Sequence, residues 1–313
     1  MITSNSNVQI KNVIKLMKSS RERQSQGVYL VEGVRMFREL PTSELVKFYL
    51  TEECAGVLRS NRYSGIGGSN SVSAVSEYTS WDVHWQEGED YEYVSDSVMK
   101  SMADTKTPQG VIAIVKQKAY TREDMLVPLN CVEVNDTAPT TGDGGNDKKP
   151  VNDGRTEMDG QMTDRRCILL LEHLQDPGNL GTILRTAEGA GVSGIIMSVD
   201  TADIYNPKVV RATMGSIFRV PFCYVEDVPE TVMWLKAQGV RCYAAHLTGT
   251  DLYQQDFRGA SCFFIGNEGN GLTDALTGLA DGKIRIPMAG QVESLNAATA
   301  ATVLMYEAFR QKL

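Results

Sequence analysis

Metal chemistry has little to work with in this chain. None of its six cysteines (Cys54, Cys131, Cys167, Cys223, Cys242 and Cys262) stands in a C-x-x-C pair, and no His–Cys cluster has zinc spacing. The three histidines, His84, His173 and His246, are scattered. No metal is expected, and the cysteines read as buried free thiols in a reducing compartment. Long apolar runs are also missing. None approaches the roughly 20 residues of a membrane helix, and the opening MITSNSNVQIKNVIK has no apolar core of a secretory signal. A soluble, cytoplasmic protein with no membrane contact is the expectation. Positive charge is not in excess. A net charge of −8 argues against a protein that coats nucleic acid by bulk charge and leaves room for a local basic patch.

What is present is an ordinary globular composition, 42% hydrophobic and 22% charged over 313 residues, enough for more than one domain. Between residues 119 and 166 the character changes. VNDTAPTTGDGGNDKKPVNDGRTEMDGQMTDRR is nearly free of large apolar side chains and cannot bury enough surface to offset its ordering entropy. It reads as a flexible linker that divides the chain into 1–118, 119–166 and 167–313.

The first part carries a helical KNVIKLM, short buried strands VYLVEG, VKFYLT and VIAIV, and a helix DSVMKSMADT. It reads as a small α/β domain, with GIGGSNSVSAVS (65–76) as a loop. Residues 10–24 hold Lys11, Lys15, Lys18, Arg21 and Arg23 against one acid, Glu22. Charge alone fits a solvated face of an amphipathic helix. The last part alternates strands (167–174, 194–199, 241–247, 261–266, 283–288) with helical stretches. Short apolar strands of this kind fit a parallel sheet buried on both faces.

GAGVSG (189–194) matches the G-x-G-x-x-G of dinucleotide-binding turns. That fingerprint works only after a strand and before a helix, where pyrophosphate meets free N–H groups. Here a helix precedes it and the strand GIIMSV follows. Gly191 should therefore end a helix, a position that suits a residue free to adopt positive φ. A P-loop is absent as well.

Three other clusters have better context. FFIGNEGNGL (263–272) leaves an apolar strand directly into glycines, as either a ligand-approaching loop or a plain turn. LQDPGNLGTILRTAEGAG places Asn179 near a helix start, where it could cap, and Arg185 as the only cation of a small-residue helix. IPMAGQVESLNAATAA (286–301) offers Ser294 and Asn296 at the start of an Ala/Thr-rich helix, where ordinary N-capping is the alternative.

In order and spacing, NLGTILRTA, IGNEGNGL and IPMAGQVESLNAATAA resemble the signature of the SpoU/TrmH RNA ribose 2′-O-methyltransferases of the SPOUT superfamily. The resemblance covers essentially all of 167–313. More loosely, IKNVIKL, VYLVEG and TKTPQGVIAIV resemble the substrate-binding domain of family members acting on large-subunit ribosomal RNA. The long acidic insert departs from the family.

The resemblance implies an α/β, trefoil-knotted methyltransferase domain with a mostly parallel sheet, preceded by a small α/β substrate-binding domain, and a homodimer. It implies S-adenosylmethionine as cofactor, held at His246, Leu247, Thr248, Gly249, Gly266, Asn267, Glu268, Gly269, Ile286, Met288, Ser294, Leu295, Asn296 and Ala297. The 2′-hydroxyl of 23S rRNA would be served by Arg185, with Asn179, Glu268, Ser294 and Asn296 holding the site. Lys11, Lys15, Arg21, Arg23 and Arg35 would contact RNA phosphates, which give affinity without sequence choice. The alternatives are a tRNA ribose or RNA base methyltransferase of the same superfamily, or a non-catalytic RNA-binding module.

Overall fold

A computed structural model describes residues 1–59, 85–129, 155–158 and 161–313. The loop expected at 65–76, His84, Cys131 and most of the low-complexity stretch lie outside these residues. Contacts gather the chain into two units. The first comprises Met1–Ala119, Asp176–Arg185 and Ala202–Arg219; the second comprises Tyr120–Gln175, Thr186–Thr201 and Val220–Leu313.

In the first unit, helices α1 (Val8–Lys18), α2 (Ser20–Gln26), α3 (Val34–Arg38), α4 (Glu52–Arg59) and α5 (Asp96–Met102) surround a four-stranded sheet. Its strands β1 (Val28–Glu32), β2 (Leu45–Leu50), β3 (Tyr91–Tyr93) and β4 (Val111–Lys116) lie in the order β1–β4–β2–β3. All neighbours are antiparallel except β2 and β3. Strand β3 has no signal in the sequence beyond two tyrosines. The α1 pattern works as its spacing predicts: Ile10, Val13 and Leu16 are fully buried and pack with Val98, Met99 and Met102 of α5. Lys11, Lys15 and Arg21 are exposed. Asn7 starts the helix by accepting the Gln9 N–H at 2.8 Å.

Arg23 does not share that exposed face. It is 3% exposed, pairs with Asp203 at 2.5 Å and donates to the Leu16 carbonyl at 2.7 Å. The chain bends at Ser19, which caps α2, so α2 is rotated out of the α1 periodicity and Arg23 turns inward. A guanidinium so enclosed is a structural cation, and the phosphate-contact role expected for it is withdrawn. Arg35 is exposed and lies 3.6 Å from Glu39.

In the second unit, β7 (Cys167–Leu171), β8 (Gly194–Ser198), β9 (Phe222–Val225), β10 (Arg241–Asp251), β11 (Ser261–Ile265) and β12 (Gly282–Arg285) form one sheet. Strands β5 (Arg155–Met158) and β6 (Gln161–Asp164) pair separately as an antiparallel ribbon. The six-stranded sheet runs β12–β10–β11–β7–β8–β9, and every pairing is parallel. The runs CILLL, GIIMS and SCFFI are buried along their whole length, as a sheet covered on both faces requires.

The helices that follow these strands are α6 (Pro177–Gly189), α7 (Pro207–Thr213), α8 (Val228–Ala237), α9 (Asp274–Leu279) and α10 (Ala297–Gln311). After α6, Gly191 adopts φ +64° and its N–H returns to the Glu188 carbonyl, while Val192 bonds back to Ala187. GAGVSG is thus a helix-to-strand turn. One stretch expected as linker is core: Met125, in a 3-10 turn at Arg122–Leu126, is fully buried with Ile196 and Phe264. The low-complexity residues after it had masked that short apolar turn.

Candidate active site

Strands β12, β10 and β11 are neighbours; the carboxyl ends of β12 and β11 lead into the segments 286–296 and 266–271, and 246–249 bulges out within β10, beyond its pairing with β11. The carboxyl edge of an open parallel sheet is where such folds take ligands.

The loop after β11 is built around Asn267. Its backbone exchanges hydrogen bonds with Gly271, N–H to O at 3.1 Å and 2.9 Å. Its Oδ1 accepts from the N–H groups of Gly269 and Asn270 at 2.9 Å and 3.0 Å, and its Nδ2 donates to the His173 carbonyl at 2.9 Å. One side chain therefore shapes the tip Glu268–Asn270 and ties it to the end of β7. Gly266 allows the return: a Cβ there would overlap the backbone of Gly271 and Leu272.

Two more side chains complete the tie to β7. Buried Glu172 accepts the Thr273 N–H at 2.8 Å and the Thr273 hydroxyl at 2.7 Å. Glu268 accepts the Gln175 N–H at 3.1 Å. Between them His173 adopts φ +54°, a conformation uncommon outside glycine, with Nδ1 3.5 Å from an Asp200 oxygen. Strain of this kind persists where surroundings over-determine it, and here Ser198 accepts the His173 N–H at 3.0 Å while Asn267 holds its carbonyl.

Residues 246–249 were expected as a loop and lie within β10 as a bulged excursion. Ala245 and Thr250 both register against Ile284, so the four residues between them leave the ladder. His246 Nδ1 takes the Thr248 backbone N–H at 3.2 Å and lies 2.9 Å from its hydroxyl. Leu247 is exposed. Gly249 passes directly over β12, where a Cβ would come within 2.5 Å of the backbone at Lys283 and Ile284.

After β12, Ile286, Met288 and Leu295 are half-buried and residues 289–294 are exposed without regular structure. The last helix starts at Ala297, later than the sequence suggests. Asn296 caps it through the N–H groups of Ala298 and Thr299 at 3.0 Å and 3.3 Å, and Ser294 lies outside it.

Asn179 and Arg185 belong to the first unit. Asn179 does not cap α6; Asp176 does, accepting the Asn179 N–H at 2.7 Å. Arg185 is exposed, with no hydrogen-bond or ion-pair partner among the described residues. Glu172, His173 and Thr273 escaped sequence reasoning. At the amino ends of β7 and β11, burial raises the Cys167 and Cys262 thiols, which are packing groups. Among the described residues no helix is long and apolar enough to cross a membrane, and no group of three or more His, Cys, Asp or Glu is placed to hold a metal.

Residues 166–306 match the SpoU rRNA Methylase family, and residues 7–113 match the MRM3-like substrate binding domain. A 23S rRNA (uridine(2479)-2'-O)-methyltransferase of Streptomyces viridochromogenes is 39% identical over 151 residues, 46% of this chain and 53% of that protein. The 23S rRNA (guanosine(2553)-2'-O)-methyltransferase RlmP of Bacillus subtilis is 40% identical over 147 residues, 47% of this chain and 59% of that one. The chain thus spans between half and three fifths of the length of these curated relatives. An AdoMet-bound rRNA methyltransferase from Sinorhizobium meliloti aligns over 100% of this chain and 98% of its own, with a TM-score of 0.70 and 26% identity. Another structure of an rRNA methyltransferase from that organism gives 0.72 and 25% over the same shares. Thus residues 166–306 are similar to the SpoU rRNA Methylase family and residues 7–113, ahead of them, to the MRM3-like substrate binding domain.

Proposed function

We propose that the chain is an S-adenosylmethionine-dependent methyltransferase acting on a ribose 2′-hydroxyl of 23S rRNA. The observation that carries this is that 266–271 and 286–296 leave the carboxyl ends of β11 and β12 while 246–249 bulges from β10 between them, beyond its pairing with β11. The curated relatives named above act on 23S rRNA at that position of the ribose.

The residues fit the cofactor. Gly249 and Gly266 remove side chains where backbone passes backbone, so the two loops lie flat at the sheet edge. Half-buried Ile286, Met288 and Leu295 give apolar surface for an adenine ring, and the main chain around them gives polar groups for its edges. S-adenosylmethionine, when bound, supplies a methyl group already activated on a sulfonium. The protein's task is to position the ribose and to accommodate charge on its 2′-oxygen.

Arg185 suits the second task. Its guanidinium stays protonated, with a pKa above ~12 in proteins, so it binds the adjacent phosphate and stabilises the developing alkoxide without acting as a base. Glu268 and Asn267 hold the loop after β11, and Asn296 fixes the start of α10. Ser294 is exposed ahead of α10 and is free to serve substrate or cofactor polar groups. Asn179, in the first turn of α6, belongs to the same reading as a residue that supports the site. Exposed Lys11, Lys15, Arg21 and Arg35 contribute phosphate contacts. The knotted path, a homodimer and a cytoplasmic place of action belong to the same reading.

Calorimetric titration with S-adenosylmethionine tests it. One saturable site per chain is expected, lost on Gly266→Ala. A folded wild-type protein that takes up no cofactor would leave an RNA-binding module as the better account.

A further inference from the structure

Methylating a ribose oxygen requires that its hydroxyl proton go to a base, and Arg185, always protonated, cannot take it. Glu268 and His246 are poor acceptors for that proton. Glu268 already accepts the Gln175 N–H, and His246 accepts the Thr248 N–H at Nδ1. A neutral imidazole that accepts at one nitrogen carries its proton on the other, so His246 turns a donor outward.

His173 has the opposite arrangement. It follows β7, which pairs with β11 on one side and β8 on the other. Its Nδ1 lies 3.5 Å from a carboxylate oxygen of Asp200, just past β8. Two lone pairs do not face each other, so a neutral imidazole here carries its proton on Nδ1 and keeps a lone pair on Nε2. Nε2 has no partner among the described residues, and the side chain is 42% exposed. The main chain is pinned to the loop after β11. Asn267 and the Gln175 amide donate to the His173 carbonyl at 2.9 Å and 3.3 Å, and the same Gln175 nitrogen reaches the Asp200 carbonyl at 2.6 Å. Those bonds, with the one to Ser198, hold a φ of +54° that glycine would adopt without strain. A histidine kept where glycine is easier is the kind of outlier that clusters at active sites.

We propose that His173 is the catalytic base, accepting the 2′-hydroxyl proton at Nε2, with Asp200 as its positioning residue. This rests on the function proposed above. As a lone pair of the 2′-oxygen forms the bond to the methyl carbon, the hydroxyl proton passes to Nε2. The S–CH3 bond breaks with its electron pair left on sulfur, and the imidazolium, opposite Asp200, later gives the proton to water. Arg185 and His173 then have separate tasks, one stabilising charge and the other removing the proton. A base oriented by a third group is the arrangement that activates other hydroxyl nucleophiles, and imidazole is the side chain that ordinarily titrates near neutrality.

The test uses the full chain and His173→Gly, which should fold because φ +54° suits glycine. Its Tm and its calorimetric affinity for S-adenosylmethionine should stay near wild type, while single-turnover methyl transfer to 23S rRNA slows about 10²–10⁴-fold, the usual worth of a general base. Free imidazole in the buffer should restore the rate of the variant about tenfold or more and leave wild type unchanged. A loss of less than about tenfold, one that imidazole does not restore, or one that follows weakened cofactor binding overturns the base. A second readout needs neither cofactor nor RNA. Nitrogen-15 shifts of the neutral His173 ring should report the Nδ1–H tautomer in wild type and the Nε2–H tautomer in Asp200→Ala. Nε2–H in wild type overturns the base, and an unchanged tautomer in Asp200→Ala overturns the part given to Asp200. Wild-type protein that transfers no methyl to rRNA refutes the function proposed above, whereas an active wild type with an equally active His173→Gly refutes the base alone.

Discussion

Replacing Glu172 by glutamine probes the tie between the ends of β7 and β11. The Glu172 carboxylate is 6% exposed and accepts two hydrogen bonds from Thr273, at 2.8 Å and 2.7 Å. Glutamine keeps the shape and one acceptor oxygen, but its NH2 would face a donor. Hydrogen bonds to charged groups are worth about 1.5–3 kcal/mol each, and a buried group left unsatisfied costs about 1–3 kcal/mol. Losing one bond and setting the NH2 against that one donor gives a destabilisation of about 2–4 kcal/mol, the two costs overlapping in part. At about 2–4 °C per kcal/mol for 150–250 residues, Tm should fall by roughly 4–16 °C. The assay is thermal unfolding with and without S-adenosylmethionine, alongside the KM for cofactor. Because the tie holds the loop after β11, KM should rise more than kcat falls at a temperature where the variant is folded. Thr273→Ser keeps both donors and should stay near wild type. An E172Q protein within 0.5 kcal/mol of wild type, with unchanged KM, would refute the reasoning.

Other outcomes follow from the same structure. Gly266→Ala places a methyl in the backbone of Gly271 and Leu272, so urea unfolding should show a loss of about 1–3 kcal/mol. Burial pushes the Cys223 thiol up to about 12 and, against the pull of Arg38, the Cys54 thiol up to about 11. A raised thiol pKa keeps the group neutral below it, so neither should react with a disulfide reagent between pH 7 and 9 until the chain unfolds; rapid native labelling at either position would contradict this. Asp203→Asn leaves the Arg23 guanidinium buried beside a neutral group, and the cost should be about 3 kcal/mol in denaturant titration, near the lower end for a broken buried pair.

Much of this architecture could be read in the residues because the signals are local. CILLL, GIIMS and SCFFI announce buried parallel strands, and the flanks of GAGVSG suffice to make it a turn. The site was legible as three motifs but not as a mechanism of assembly. Glu172 and Thr273 lie 101 positions apart, as do pairs such as Asn267 and His173 at 94, and no periodicity links residues so distant. His173 carries no mark of its positive φ in the sequence. Arg23 misled because a helical pattern was continued through Ser19, where the chain turns. Met125 was hidden because its turn adjoins a long polar stretch whose composition dominates the window.

The central claim is methyl transfer to a ribose with Arg185 stabilising charge. Methyl-labelled S-adenosylmethionine should be incubated with the protein and with ribosomal RNA from cells lacking it, beside Arg185→Ala, and the RNA then hydrolysed in alkali. Label in alkali-resistant dinucleotides, lost in the variant, is the predicted result. Label confined to mononucleotides would mean base methylation and contradict the role given to Arg185.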